Sequence, residues 1–147
     1  MAYNITLPLP KGWEKEQNEY MDESGVMITH LECHLPNDKK ETEDALIDIY
    51  VGEMPSDTCA ADEALANYAD TVGFDDSDPE DFDPIIEWPF NGKKAYGFEA
   101  LCDDDSPMRL MCIEVKKGIL LIMVVVAKDD KMLEDVLVMV EHGMRVS

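Results

Sequence analysis

Basic residues are scarce in this chain. Its 147 residues include 12 lysines and arginines against 33 aspartates and glutamates, which gives a formal net charge of −21 at pH 7. A field of that sign repels nucleic acid and anionic membrane surfaces, so we expect neither as a partner. The charge favours a basic protein partner instead. Solubility with no partner selected is the other interpretation of the same excess of acid.

Long apolar runs and export signals are also lacking. The longest apolar run, at 118–127, is about half the length of a transmembrane helix, which needs ~20 residues. The first eight residues contain no basic region followed by an apolar segment, so no signal peptide is expected. The four cysteines, Cys33, Cys59, Cys102 and Cys112, form no Cys-x-x-Cys pair. Reduced thiols and no export signal predict a cytoplasmic protein.

Catalytic signatures are missing as well. The sequence contains no Gly-x-Ser-x-Gly, no His-Glu-x-x-His, no phosphate-binding loop and no Gly-x-Gly-x-x-Gly. With only three histidines, a Cys/His or Ser/His arrangement has few places to form. The sequence therefore predicts a protein that is not an enzyme and has no cofactor.

The apolar run at 118–127 is what the rest of the chain is organised around. One glycine precedes nine apolar residues, several of them β-branched, and Asp129-Asp130 follows soon after. This pattern is typical of a strand. Successive side chains of a strand point to opposite faces, so a strand that is apolar throughout must be covered on both faces. We expect it in the middle of a sheet.

The remaining elements follow from local patterns. Strands are predicted at 26–35, 45–51, 85–88, 93–102 and 111–115, with one helix after Ser56-Asp57-Thr58 and another after Asp129-Asp130. Residues 1–24 are expected to form an extended arm, in which 14–24 are a loop or a short edge strand through Tyr20 and Met21. Residues 75–84 are expected to form an acidic loop. The fold class predicted for the single domain 1–147 is α+β: one antiparallel sheet of about six strands covered by two helices. The element order is β-β-α-β-β-β-β-α, in an α/β/α sandwich.

One strand carries a candidate metal site. The alternation in 26–35 puts His30, Glu32 and His34 on one face. At ~3.3 Å rise per residue the two histidines lie about 13 Å apart, too far to bind one ion together. A solvated or cross-strand paired face is the preferred interpretation, and no metal site is predicted.

Two acidic segments are the candidate partner-binding residues. The first lacks the ligand register of an EF-hand loop, and the second is typical of a hairpin turn. If they lie at the same end of the sheet, they form an anionic patch that steers a basic partner. The residues are Asp75, Asp76, Asp78, Glu80, Asp81 and Asp83 in the first segment, and Asp103, Asp104 and Asp105 in the second.

The element order, together with Leu7-Pro8-Leu9-Pro10-Lys11-Gly12-Trp13, resembles the family that joins the photosystem PsbP proteins and the Ran-binding Mog proteins. That resemblance implies a PsbP-like antiparallel sheet between helices, and a module that docks on other proteins. No partner-binding residue of the family is identifiable here. What it implies is an interaction protein, with no particular partner.

Three functions are left open. The first is a cytoplasmic protein-binding module, such as an adaptor or chaperone. The second is an immunity-type acidic inhibitor of a basic effector. The third is a small-molecule or metal-binding domain with a pocket near Trp88, Phe90, Tyr96 or Phe98, although such aromatics commonly belong to the core. The oligomeric state is also open.

Overall fold

A seven-stranded antiparallel sheet is the main element of the computed structural model. The structure describes residues 5–9, 11–23, 25–37, 42–54, 59–60, 62–64, 85–90, 92–101 and 106–146. The strands of this sheet are β2 (Glu14–Met21), β3 (Met27–Asn37), β4 (Thr42–Glu53), β5 (Ile86–Phe90), β6 (Lys93–Leu101), β7 (Pro107–Lys116) and β8 (Ile119–Ala127). Their order across the sheet is β2-β3-β4-β8-β7-β6-β5.

The strand predicted to be central is central. β8 has three strands on each side and pairs with β4 and β7 along its length. On one face its side chains Leu121, Met123 and Val125 are fully buried. The strand predicted at 45–51 is also confirmed, and Ile47, Ile49 and Val51 of β4 are buried on that same face.

The C-terminal helix (Asp130–Gly143) covers this buried face. Asp129 caps it, since its carboxylate accepts a hydrogen bond of 2.8 Å from the backbone N–H of Met132. The helix predicted after Asp129-Asp130 is therefore confirmed, and it buries an apolar stripe of Leu133, Val136, Leu137 and Val140. Each such side chain contributes roughly 1.5–3 kcal/mol when it leaves water. This stripe fixes the helix on β4 and β8.

The two ends of the described chain are joined by a separate two-stranded sheet. β1 (Ile5–Thr6) pairs with β9 (Arg145–Val146) in antiparallel register. Leu7 follows β1 and is 1% exposed in the core beneath the helix, with Leu9 and Trp13 packed against the same core. The N-terminal segment therefore contributes to the core beneath the helix.

The opposite face of the sheet is divided into two halves. Over β6, β7 and β8 it is apolar and forms a second core cluster that includes Phe98, Leu110 and Cys112. Helical residues 60 and 62–64 contribute Ala60 and Ala64, both buried, to this cluster. Over β2, β3 and β4 the same face carries mainly polar side chains, among them His30, Glu32 and Asp48. The predicted helix cap at 56–58 lies outside the described residues.

The predicted fold class is wrong. The described chain is mostly β, with a seven-stranded antiparallel sheet and a second sheet of two strands, rather than one six-stranded sheet covered by two helices. The predicted arm at 1–24 contains β1 and all of β2. β2 was not predicted over its full length because its sequence, EKEQNEYM, has no apolar alternation, and every one of its residues is exposed. Backbone pairing with β3 holds this strand in the sheet, and such pairing requires no particular pattern of side chains.

Candidate functional site

The residues predicted to bind a partner lie outside the described residues. They are Asp75, Asp76, Asp78, Glu80, Asp81, Asp83, Asp103, Asp104 and Asp105. The candidate site built from described residues is instead the polar half of the sheet's second face, formed by β2, β3 and β4. Its chemistry-bearing side chains are Glu14 and Glu16 of β2, His30, Glu32 and His34 of β3, and Asp48 and Tyr50 of β4.

The strand register sets this polar surface. Glu16 is the direct partner of Glu32, and Glu32 is the direct partner of Asp48. Three carboxylates therefore stand side by side on three neighbouring strands, and we call them the carboxylate row. Like charges directly opposite each other in a sheet are destabilising. No lysine or arginine among the described residues forms an ion pair with a member of this row.

Each histidine of β3 contacts a carboxylate on a different neighbouring strand. His30 Nε2 lies 2.9 Å from Asp48 Oδ1 of β4, and His34 Nε2 lies 2.7 Å from Glu14 Oε2 of β2. The first pair is partly buried, with side chains 18% and 20% exposed. The cross-strand pairing preferred from the sequence is thus present for both histidines.

Tyr50 fixes the orientation of the His30 ring. The two residues are register partners, and their rings stack with centroids 4.3 Å apart and planes at 6°. Burial raises the pKa of the Tyr50 phenol, and the nearby charge of Asp48 raises it further. The phenol therefore stays neutral beside the acidic groups at physiological pH.

The possible metal ligands that the structure brings together are not the three that share strand β3. His30, Glu32 and Asp48 have ligand atoms that all lie within 4.8 Å of one another. The sequence suggested His30, Glu32 and His34, but the structure brings Asp48 to this position while His34 contacts Glu14. The alternation in β4 places Asp48 on the face opposite Ile47 and Ile49, yet only the register between strands shows which β3 residues it meets.

The two edges of the large sheet differ in how they are protected. β5 is five residues long and carries Pro89, which lacks a backbone N–H and so blocks addition of another strand. β2 is eight residues long, contains no proline, and pairs with β3 without a register shift. Its exposed side chains include Tyr20 and Met21, at 44% and 61%. Within the part of the chain that the structure describes, β2 is therefore the more accessible edge for backbone pairing.

A separate pocket lies between β5, β6 and β7 and the residues that follow the C-terminal helix. It has a volume of about 430 Å³ and is lined by Phe90, Lys93, Ile113, Val115, Met144, Arg145 and Val146. The four aromatics named from the sequence do not form one pocket: Phe90 lines this one, Phe98 is buried in the second core cluster, and Trp88 lies under the Arg109 guanidinium. Tyr96 lines a depression with Lys93 and Lys94.

Two of the described cysteines are unreactive by position. Burial raises the pKa of Cys33 to about 11 and that of Cys112 to about 12 from an ordinary value of 9.0. For Cys33 the charge of Lys15 acts in the opposite direction and lowers the pKa. Cys59 is exposed, and the cysteines at 33, 59 and 112 are all free thiols.

No protein-family model, curated protein or solved structure matches this chain. The resemblance to the PsbP and Mog proteins therefore stays a prediction of family. The sandwich fold that it implied is wrong, because the described chain is mostly β. Within the described residues, no helix has the length and apolar character needed to cross a bilayer.

Proposed function

We propose that this chain is a non-catalytic protein-binding module, and that a basic protein partner docks an extended segment along the edge strand β2. The observation that carries the proposal is the contrast between the long, proline-free edge at β2 and the short edge blocked by Pro89 at β5. A cytoplasmic location is part of the proposal, because free thiols such as Cys59 persist in a reducing compartment.

Backbone geometry supports docking at β2. An edge strand presents N–H and C=O groups on its outer side, and an added strand satisfies them while its side chains provide specificity. Among the described strands, β2 pairs only with β3. Its eight exposed residues offer enough length for one added strand of ordinary size.

Charge selects the occupant of this edge. β2 contributes Glu14, Glu16 and Glu19 against one cation, Lys15. Glu16 belongs to the carboxylate row and Glu14 stands on the same polar face, so a basic strand placed next to them would bring opposite charges together. A second copy of β2 would bring glutamates together instead. The edge therefore favours a basic partner over self-association, and a basic effector inhibited by this chain is one member of that partner class.

Synthetic peptides test the proposal without knowledge of the natural partner. The probe is a fluorescein-labelled eight-residue peptide that alternates lysine and valine, so that its lysines share one face when it is extended. We expect saturable binding in fluorescence anisotropy that weakens as salt is raised. Glu16→Gln should weaken binding about twofold to fivefold, the range of an exposed ion pair. Glu134→Gln on the exposed side of the C-terminal helix makes the same charge change and should have no comparable effect.

N-methylation separates strand pairing from simple charge attraction. Methyl groups on one alternating set of peptide nitrogens remove the N–H groups that face β2, whereas the other set faces solvent. We expect one methylated peptide to lose binding and the other to retain it. Equal binding by both methylated peptides, or equal loss in Glu16→Gln and Glu134→Gln, would contradict docking at this edge.

The pocket at Phe90 supports a second candidate function, the binding of a small molecule that has an apolar part and an anionic group. Its walls are mainly apolar, and two of the chain's 12 basic residues, Lys93 and Arg145, lie at this one pocket. Medium-chain carboxylates tested by isothermal calorimetry should bind the wild type and bind Arg145→Gln at least several-fold more weakly. Unchanged affinity in that variant would remove this candidate.

A further inference from the structure

We propose that His30, Glu32 and Asp48 form a binding site for one divalent transition-metal ion, with zinc as the ion that best fits the donors. This inference goes beyond the proposed function, because it needs neither a partner nor the outer edge of β2. One nitrogen and two carboxylate oxygens lie within 4.8 Å of one another. Imidazole and carboxylate donors together are typical zinc ligands.

The backbone places these three donors together. His30 and Glu32 are two residues apart on β3, so their side chains leave the same face of the sheet. Asp48 is the register partner of Glu32 on β4, and its carboxylate reaches diagonally to His30. Both strands are interior to the sheet, since β2 and β8 flank them. The donors therefore stand on paired strands rather than on a loop.

The distance between the donors suits a small ion. Bonds of ~2.0–2.2 Å in tetrahedral geometry put two ligand atoms about 3.3–3.6 Å apart. His30 Nε2 and Asp48 Oδ1 are 2.9 Å apart, so they need to separate by about 0.4–0.7 Å. The Tyr50 ring, stacked on His30, keeps the imidazole plane in place during that adjustment.

Electrostatics supplies an independent reason for a cation here. Glu16, Glu32 and Asp48 form the carboxylate row, and among the described residues only the imidazole of His30 contacts any of the three through an ion pair or hydrogen bond. The His30 and Asp48 side chains are only 18% and 20% exposed, so water screens their charges less than at an open surface. A bound dication would relieve the repulsion between neighbouring strands.

The donor types select among metals. Calcium requires six to eight oxygen ligands, and magnesium favours an octahedron of oxygens, so an imidazole donor makes either a poor fit. The three donors include no thiolate, which disfavours copper(I). Zinc accepts nitrogen and oxygen ligands in four-coordinate geometry, and three protein donors leave one position for water. Nickel and copper(II) share the preference for imidazole, so the inferred class is a transition metal, with zinc as the probe.

Zinc titration by isothermal calorimetry tests the site in the full chain. The starting protein is Cys59→Ala, because the exposed Cys59 thiol is a competing zinc ligand. We expect one zinc per chain in the presence of millimolar calcium. Each of His30→Gln, Glu32→Gln and Asp48→Asn should reduce the affinity at least tenfold, the lower bound for disturbing a metal shell. His142→Gln and Glu134→Gln, on the exposed side of the C-terminal helix, are the matched controls and should bind as the parent does.

Two further measurements keep the test decisive. Melting curves with a chelator show whether each variant remains folded, and a variant that melts within a few degrees of the parent is interpretable for binding. Cobalt(II) in place of zinc should give the visible absorption of a four-coordinate site in the parent and lose it in Asp48→Asn. Equal zinc affinity in the ligand and control variants, or binding that millimolar calcium abolishes, would overturn the inference.

Discussion

The imidazole of His30 and the phenol ring of Tyr50 lie parallel, with centroids 4.3 Å apart and planes at 6°. They are direct partners in the pairing of β3 with β4, so the strand register holds them together. On the same face the imidazole contacts Asp48 at 2.9 Å. The ring of Tyr50 therefore orients an imidazole whose nitrogen is directed at a carboxylate, and Tyr50 acts as a positioning residue for the inferred metal site.

That role predicts opposite results for two substitutions of Tyr50. Tyr50→Ala removes the ring and should weaken zinc binding several-fold, because the His30 imidazole gains rotational freedom. Tyr50→Phe keeps the ring without the hydroxyl and should bind zinc as the wild type does. Calorimetric titration of both variants, each in the Cys59→Ala background, measures the difference. If phenylalanine fails to restore the affinity, ring stacking does not orient His30.

Gly97 predicts a stability effect in the middle of β6. A Cβ atom at this position would clash with the backbone carbonyl group of Leu110 on the adjacent strand β7. Gly97→Ala should therefore lower the free energy of unfolding by about 1–3 kcal/mol, the usual cost of overpacking, because backbone atoms must shift. Urea denaturation gives this value. Lys94→Ala on the same strand, where the side chain is 71% exposed, should change stability by less than about 0.5 kcal/mol.

The two buried thiols predict a loss of stability at alkaline pH. Their pKa values are raised to about 11 for Cys33 and about 12 for Cys112, so the folded protein retains protons that the unfolded chain loses above its ordinary pKa of 9.0. Stability from this source is complete below pH 9.0 and falls as pH rises towards the folded pKa values.

Urea denaturation from pH 8 to pH 11 measures this effect. Above its unfolded pKa, each thiol should lower the free energy of unfolding by up to about 1.4 kcal/mol per pH unit. Cys33→Ala and Cys112→Ala should each have a shallower dependence than the wild type, whatever their stability at neutral pH. Identical slopes in all three proteins would show that burial does not raise the pKa of these thiols.

Arg109 links two side chains at the β5 side of the sheet. Its guanidinium lies 4.3 Å from the Trp88 ring centroid and donates a hydrogen bond of 3.2 Å to Glu99. Arg109→Gln should lower the free energy of unfolding by about 1–2 kcal/mol and shift the emission of Trp88, which can be measured in a Trp13→Phe background. Lys94→Gln removes an exposed cation 3.8 Å from Glu87 and should change neither the free energy of unfolding nor the emission of Trp88. Unaltered Trp88 emission in Arg109→Gln would contradict the contact.

Strong apolar patterns made part of this fold predictable from sequence. The run at 118–127 predicted the central strand β8, and the helical spacing of Leu133, Val136 and Val140 predicted the helix that covers it. Burial imposes these patterns, because every inward position must be apolar. β2 carries no such pattern, since all of its residues are exposed, and so the number of strands and the fold class were predicted wrongly.

The candidate sites show the same limit. His30 and Glu32 were recognised as sharing a face, because that follows from alternation within one strand. Asp48 was not added to them, because its position depends on the register between β3 and β4, which a single sequence does not specify. The contrast between the β2 and β5 edges depends in the same way on sheet order. Pro89 was visible in the sequence, but its place on an edge strand was not.

Docking at β2 is most directly tested by amide resonances of the protein during titration with the lysine–valine peptide. In ¹⁵N-labelled protein, the account predicts that the largest shift changes fall on residues 14–21. It also predicts that alternate amides of this strand, those directed outwards, become protected from hydrogen exchange. The amides of β5 should remain unchanged. Shift changes concentrated at 75–84, at the Phe90 pocket or at β5, with no new protection in β2, would contradict the account.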